Sequence, residues 1–268
     1  MGFSTLNEWL EFQQGINPKE IDLSLDRVQT LYNKLQINIP KKNVFLIGGT
    51  NGKGTTTSIL EQLFRKKGYK TGAFTSPHLT QYNERVRINL NNSFDQDWVS
   101  AFEIIEAMRG DVSLTYFEFS TLAAFQILSN HECDAWFIEV GLGGRLDATN
   151  IIESSVSVLT SIAMDHEEWL GDSIDKIAKE KVGIAKRNRP LIFGDVVAMD
   201  VIQEGSLEKG SELRKKGEDF NGRIDQGQYS FNGVHQSIEE IVLPKSWGDG
   251  EIDNLTTALA AMEANEQF

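Results

Sequence analysis

The sequence predicts an α/β protein whose mostly parallel sheet is flanked by helices and carries a P-loop. Three observations support this fold class. Short apolar runs alternate with amphipathic segments, a glycine-rich loop joins one such run to the next helix, and 268 residues suffice for a large core. A more polar region late in the chain predicts a small peripheral antiparallel addition.

The apolar and amphipathic segments follow one another in a regular order. Short runs rich in apolar residues predict strands over 43–47, 69–75, 85–90, 134–140, 156–162 and 190–194. Helical spacing of apolar residues predicts helices over 24–36, 55–67, 97–108, 117–130 and 173–186. Strands that alternate with helices in this way form a parallel sheet covered on both faces.

We expect a single domain, residues 1–268, built from four segments. These are N-terminal helices over 1–40, a P-loop α/β core over 41–200, a peripheral β segment over 218–247 and a final helix over 253–265.

Composition and charge exclude several classes of function. The net charge of −13 leaves no basic face for nucleic acid. No apolar run approaches the roughly 18 residues that a membrane span needs. The first residues do not resemble a secretory signal. One cysteine, Cys133, excludes an intramolecular disulfide and a metal site of several cysteines. We therefore expect a cytoplasmic protein with no membrane or nucleic-acid partner.

The strongest local signal is the stretch GGTNGKGTT at 48–56, between a predicted strand and a predicted helix. Glycines let successive backbone N–H groups point at phosphate oxygens, and the helix presents its positive end to the same anion. Lys53 adds a charge for the β- and γ-phosphates, and a threonine hydroxyl can reach Mg²⁺. The candidate ATP-binding residues here are Thr50, Asn51, Gly52, Lys53, Gly54, Thr55 and Thr56. A glycine-rich turn with a solvated lysine is the alternative, and the strand–loop–helix context disfavours it.

This loop departs from the usual P-loop at two positions. Ile47 stands where the first glycine is expected, and Gly54 follows the lysine in place of Ser or Thr. The form GTNGKGT resembles the Mur ligase superfamily. Further segments, in order, are TSPHL at 75–79, YNERV at 82–86, SLTYFE at 113–118, EVGLGGRLDATN at 139–150, TSIAMDH at 160–166 and KEKVGI at 179–184. Together they resemble the folylpolyglutamate synthase family in its bacterial form that is also a dihydrofolate synthase.

The resemblance implies an ATP-dependent ligase of folate biosynthesis. ATP would phosphorylate the carboxylate of dihydropteroate or a folate, and the amine of L-glutamate would attack the acyl phosphate. ATP and two Mg²⁺ ions are the implied cofactors, and a monomer is expected. Such a protein would work mainly by positioning its substrates and neutralising charge.

The resemblance also implies metal-binding and catalytic residues. Ser76, Glu139 and His166 match the family's Mg²⁺ positions, and Lys181 matches a lysine that relatives carry as a carbamate, which would bind a second Mg²⁺. Lys53, Lys181 and His166 are the expected catalytic residues. The residues themselves leave alternatives open: Ser76 as a turn residue, His166 as a hydrogen-bond donor in a loop and Lys181 as a helix-surface lysine. For Glu139, at the end of an apolar strand, we expect a charge partner.

Substrate positions follow from the same resemblance. The matching pterin-binding residues are Asp22, Thr115, Tyr116, Phe117, Glu118, Leu146, Asp147 and Ala148. Asp22 also suits a helix N-cap region, and Phe117 suits a core. Asn254 matches the family's contact to the ATP base, although Asp253 precedes it where the family usually has Pro. An N-cap of the final helix explains Asn254 equally well.

The resemblance finally implies a second domain after the final helix, which binds glutamate. We expect the chain to lack this domain, to bind Mg-ATP weakly and to make little amide product alone. Three other functions stay open: a P-loop ATPase or kinase, another Mur-superfamily ligase, and an inactive nucleotide-binding fragment.

Overall fold

The structure, a computed structural model, describes residues 2–17 and 22–266. In these ranges the main sheet contains β1 Val44–Gly48, β2 Thr71–Phe74, β3 Val86–Ile88, β4 Asn91–Asn92, β5 Ala135–Glu139, β6 Val156–Leu159, β7 Pro190–Phe193 and β8 Glu212–Lys215. A smaller sheet contains β9 Asn221–Asp225, β10 Gln228–Asn232 and β11 Ser237–Ile241.

The helices are α1 Leu6–Ile16, α2 Asp26–Tyr32, α3 Lys53–Lys66, α4 Asp95–Arg109, α5 Tyr116–Asn130, α6 Glu167–Leu170, α7 Ile174–Val182, α8 Met199–Lys209 and α9 Asp249–Glu266. None of them, over the ranges described, is long and apolar enough to cross a membrane.

The main sheet is parallel except at one edge. Its strand order is β4-β3-β2-β5-β1-β6-β7-β8, and β3 and β4 are the antiparallel strands. β1 lies between β5 and β6, so that Phe45 pairs with Phe137 on one side and Val156 on the other. The carboxyl ends of β1, β5 and β6 therefore meet at one edge of the sheet, where ligands bind in α/β proteins.

Both faces of the sheet are covered, because side chains along each strand alternate between two cores. In β1, Val44 and Leu46 join the core formed with α1, α2, α4, α5, α7 and α8, whereas Phe45 and Ile47 join the core formed with α3, α9 and the small sheet. Phe45, Phe64 and Phe137 pack with ring centroids 5.2–5.3 Å apart in the second core. Strands buried on both faces read as continuous apolar runs, which is why the sequence shows them clearly.

The predicted fold class is confirmed, with differences in individual elements. Helix α9 runs from Asp249 to Glu266 and is longer than the predicted 253–265. Helix α7 ends at Val182, well before the predicted 186, and α2 spans only Asp26–Tyr32. Helix α8 and strand β8 were not predicted. The edge strand β8 carries partly exposed polar side chains, so its sequence lacks the apolar run of the central strands.

Candidate active site

The glycine-rich loop lies between the end of β1 and the start of α3, as predicted. Gly49 and Gly52 have backbone φ angles of +135° and +85°, which residues with a side chain rarely adopt. A Cβ on Gly49 would lie 2.0 Å from Thr160 Oγ1, and one on Gly52 would lie 2.1 Å from Asn254 Oδ1. Glycine is therefore required at both positions by backbone conformation and by space.

The first half of the loop is fixed by the segment that follows β6. The N–H of Thr50 donates to the Ser161 carbonyl at 2.8 Å, and the N–H of Asn51 donates to Ser161 Oγ at 3.0 Å. Thr160 Oγ1 donates to the Asn51 carbonyl at 2.6 Å. Thr50 and Asn51 thus shape the loop. The first N–H groups of α3 have no hydrogen-bond acceptor within the helix, so they are the groups that can bind an anion.

Two lysines converge on one carbonyl of this loop. Lys53 Nζ donates to the carbonyls of Gly49 and Thr50, both at 3.1 Å, and Lys181 Nζ donates to that of Gly49 at 3.0 Å. Lys181 is only 2% exposed. Its burial, and then the charge of Lys53, lower the pKa of Lys181 to about 8. The alternative that Lys181 is a helix-surface lysine is wrong.

Glu139 ends β5 beneath the start of α3 and is buried. Its Oε2 accepts the Ser76 N–H at 3.2 Å. Burial raises the pKa of Glu139 to about 7, although the charge of Lys53 and the Ser76 N–H oppose this rise. The expected direct charge partner is not found in the described part of the chain. A buried carboxylate without an ion pair, beside a phosphate-binding loop, fits a divalent cation.

The donor set decides which cation these residues suit. Over residues 2–17 and 22–266, no group of three or more His, Cys, Asp or Glu side chains is placed to hold a metal. A site with one carboxylate, that of Glu139, and the neighbouring Ser76 suits Mg²⁺, because Mg²⁺ binds through one or two carboxylates and takes its other ligands from phosphates and water. Ser76 and Glu139 lie together. The side chain of His166 is 54% exposed, and its Nε2 lies 3.5 Å from Asp165 Oδ1.

A cavity of about 650 Å³, here called the side cavity, opens beside Ser76 and Gly141, which follow β2 and β5. All eight predicted pterin-binding residues line it. They are Asp22, Thr115, Tyr116, Phe117, Glu118, Leu146, Asp147 and Ala148. Ser76 and Pro77 belong to the same wall. Because the Ser76 backbone also contacts Glu139, the side cavity adjoins the candidate metal site.

The aromatic wall of the side cavity depends on Gly141. A Cβ on Gly141 would lie 2.4 Å from Cζ of Phe117, so the ring packs directly on the glycine. The Phe117 ring is also stacked on Phe74 at a centroid distance of 6.1 Å. Phe117 is partly exposed: it packs against the core on one side and lines the cavity on the other.

The polar wall is built from carboxylates held by named partners. Asp147 accepts the Leu142 N–H at 2.8 Å and the Thr149 hydroxyl at 2.5 Å. Burial nevertheless raises the pKa of Asp147. Glu118 accepts the Thr115 N–H at 2.7 Å, which caps α5. These carboxylates are oriented before any ligand binds.

Arg27 joins two of the acidic residues and was not predicted from the sequence. Its guanidinium pairs with Asp22 and with Glu118, each at 3.0 Å. Asp22 lies three residues before Leu25, which is the N-cap of α2. Nothing in the local pattern distinguishes Arg27 from a surface residue, because Glu118 is distant in the sequence.

Asn254 lies inside α9, more than one turn after its start. The N-cap alternative for this residue is therefore wrong. Its Oδ1 accepts the Thr56 hydroxyl at 3.4 Å and lies against Gly52. Asn254 thus contacts the loop from the side opposite Lys181's helix, in the core shared by α3 and α9.

Comparison with known proteins assigns the domain. A profile described as the Mur ligase middle domain matches residues 47–262, most of the chain. The chain belongs to the Mur ligase middle-domain family. Dihydrofolate synthase/folylpolyglutamate synthase of Escherichia coli is 40% identical over 98% of this chain, and that of Haemophilus influenzae is 45% identical over 97%. The match covers 61% and 58% of these two relatives, so this Mur ligase domain spans about three fifths of their length.

Solved structures agree with this assignment of the Mur ligase domain. E. coli FolC in complex with DHPP and ADP aligns with a TM-score of 0.93 and 40% identity, over 98% of this chain and 62% of that one. A bifunctional folylpolyglutamate synthase/dihydrofolate synthase with Mn, AMPPNP and L-glutamate bound aligns with a TM-score of 0.89 and 36% identity, over 98% and 63%.

Proposed function

We propose that this Mur ligase domain belongs to an ATP-dependent ligase that adds L-glutamate to dihydropteroate or folates through an acyl phosphate. The observation that carries the proposal is the side cavity, which all eight predicted residues line. Ser76 lines it too, and its N–H contacts Glu139, whose carboxylate lies next to Gly54 of the phosphate-binding loop. The relatives support the same chemistry, because their structures hold DHPP with ADP, and Mn with AMPPNP and L-glutamate.

The proposed reaction has two steps. A carboxylate oxygen of the acid attacks the γ-phosphorus, and the bond from phosphorus to the departing ADP oxygen breaks. The glutamate amine then attacks the acyl carbon, loses a proton, and inorganic phosphate leaves. Lys53 and the start of α3 hold the phosphates, while the side cavity aligns the acid. Ser76 and Glu139 would hold Mg²⁺, which supplies positive charge to the phosphate oxygens when bound.

The finer parts of the proposal are two magnesium ions, a role for His166 at the second one, a monomeric state and a cytoplasmic location. Sedimentation of the purified chain checks the monomer. For the nucleotide base we propose a contact to Asn254, which already touches the loop through Gly52.

Lys181 is the residue for which we propose carbamylation. A lowered pKa of about 8 leaves part of its amine neutral at neutral pH, and only the neutral amine adds to carbon dioxide, releasing a proton. We expect a carbamate carbon signal when the chain is incubated with ¹³C-bicarbonate and studied by NMR. Lys181→Ala should abolish that signal. In an active relative with the same substitution, turnover should be lost, and added short carboxylic acids should restore part of it.

Lys186 offers a matched control for this experiment. It is partly buried, which lowers its pKa to about 8, but its Nζ donates to Asn150, whereas that of Lys181 donates to Gly49 of the loop. Lys186→Ala should leave the carbamate signal intact. A signal that survives Lys181→Ala and disappears in Lys186→Ala would refute carbamylation of Lys181.

Calorimetric titration with dihydropteroate in the presence of Mg-ADP tests the proposed substrate. We expect binding by the wild-type chain. We also expect Gly141→Ala to weaken it by roughly tenfold or more, because the added methyl displaces Phe117 into the cavity. Gly250→Ala, a helix position with open space around it, is the control that should bind normally. Absence of pterin binding by the wild type would contradict the proposed function.

A further inference from the structure

Arg85 is a buried cation in the wall of the side cavity. It is 8% exposed, and it ends the helical turn Tyr82–Arg85 that precedes β3. Its Nε donates to His78 Nδ1 at 2.9 Å. The guanidinium carbon lies 5.2 Å from the centroid of the Tyr82 ring and 5.9 Å from that of Tyr116. Two rings and one imidazole therefore hold its position.

Arg85 differs from the neighbouring arginines in its charge partners. Arg27 pairs with Asp22 and Glu118, and Arg87 pairs with Glu61. For Arg85 the described ranges contain no carboxylate within ion-pair distance. His78 does not compensate the charge, because an imidazole is either neutral or positively charged. A buried guanidinium without an anion is costly, which indicates that a ligand supplies one.

The position of Arg85 indicates which anion this is. Arg85 lines the side cavity together with Ser76, Pro77 and Tyr116. The same lining therefore contains Arg85, Ser76, whose N–H contacts Glu139, and Tyr116, which is predicted to bind the pterin. An acid that fills the cavity and extends toward the phosphate loop passes this guanidinium. The planar guanidinium of arginine can donate two parallel hydrogen bonds to a carboxylate, which the ammonium of lysine cannot do.

We propose that Arg85 pairs with the carboxylate of the acid substrate in the side cavity, and that His78 is a positioning residue that holds its guanidinium there. The inference rests on the proposed function and specifies how the acid is recognised. Tyr82 supports the same arrangement, because its hydroxyl bonds Ser120 of α5 at 2.5 Å and fixes the ring beneath Arg85.

The test compares dihydropteroate with its carboxamide, which has the same shape without the charge. Calorimetric titrations of the complete chain are made in Mg-ADP. The wild type should bind the acid roughly 10- to 100-fold more tightly than the amide, as a charge-assisted pair would give. In Arg85→Gln this preference should vanish, because affinity for the acid falls while affinity for the amide stays. Arg85→Lys should keep part of the preference.

His78 is tested through the same ratio. His78→Ala should reduce the preference for the acid, and His78→Gln, which keeps an acceptor for the Arg85 Nε–H, should restore part of it. Arg223→Gln makes the same change as Arg85→Gln on the exposed small sheet and should have no effect. A far-UV circular dichroism spectrum and melting temperature like those of the wild type show that each variant is folded.

Three results would overturn the inference. If Arg85→Gln keeps the preference for the acid, Arg85 does not bind the carboxylate, although the proposed function stands. If Arg85→Gln instead weakens ADP, the guanidinium serves the nucleotide. If the wild type binds neither pterin compound, the proposed function fails and the inference fails with it.

Discussion

Lys53→Ala should lower nucleotide affinity by roughly 100-fold, the effect of losing a charge-assisted contact to phosphate. In the structure, Lys53 Nζ lies at the loop, 3.1 Å from the carbonyls of Gly49 and Thr50, where it can turn to a bound phosphate. Titration calorimetry with Mg-ADP and Mg-ATP measures the loss. The effect should be larger for ATP, since the lysine charge is placed for the terminal phosphates.

Lys66→Ala is the matched control, because Lys66 is exposed at the far end of the same helix. It should leave nucleotide affinity unchanged. Loss of affinity in both variants would indicate an effect of net charge alone. If Lys53→Ala binds both nucleotides as tightly as the wild type does, the loop is not the phosphate site.

Glu139→Gln should change nucleotide binding and stability in opposite directions. In the wild type, Mg²⁺ should raise the affinity for ATP by roughly 100-fold. In Glu139→Gln this increase should be lost, because the cation no longer has its buried protein carboxylate. Titrations with ATP in the presence of Mg²⁺, or of a chelator instead, measure this. Glu103→Gln, the same change on the exposed face of α4, should have no effect.

Metal-free stability should respond to Glu139 in a pH-dependent way. The pKa of Glu139 is raised from 4.5 to about 7, so the folded state holds the proton more tightly than the unfolded state does. The contribution of this group to stability therefore falls as pH rises from 4.5 through about 7. Above pH 7 the raised pKa of Glu139 lowers the free energy of unfolding by about 3 kcal/mol, compared with its value at a pH below 4.5.

Thermal unfolding of metal-free protein checks this sign. At pH 5 the wild type and Glu139→Gln should melt at similar temperatures, because the wild-type carboxyl is largely protonated. At pH 8 the variant should melt several degrees higher. Equal melting temperatures at both pH values would show that Glu139 is not a desolvated, unpaired carboxylate.

The elements predicted well are those whose determinants are local. The loop at 48–56 requires positive φ at Gly49 and Gly52, and only glycine adopts these conformations at low cost. Strand β5 is buried on both faces, so its run of apolar residues is unbroken. In both cases a short stretch of sequence contains the whole physical reason for the structure.

The elements that were missed depend on contacts between distant segments. Arg27 looks like a surface residue of α2 until folding brings Glu118 to it, 91 residues away. Arg85 is buried only because Tyr82, Tyr116 and His78 surround it. The family resemblance supplied the eight cavity residues. Arg85 lies in the YNERV segment at 82–86, which also carries the resemblance, but neither it nor Arg27 was assigned a role from the sequence.

We expect the phosphate loop and the side cavity to form one site in which an acid meets the terminal phosphate of ATP. A crystal structure of the chain with Mg²⁺, a non-hydrolysable ATP analogue and dihydropteroate would show whether they do. A carboxylate oxygen of dihydropteroate should lie within about 3.5 Å of the γ-phosphorus and in line with its bond to the leaving oxygen. A pterin bound outside the side cavity, or inside it with its carboxylate directed away from the loop, would refute this arrangement.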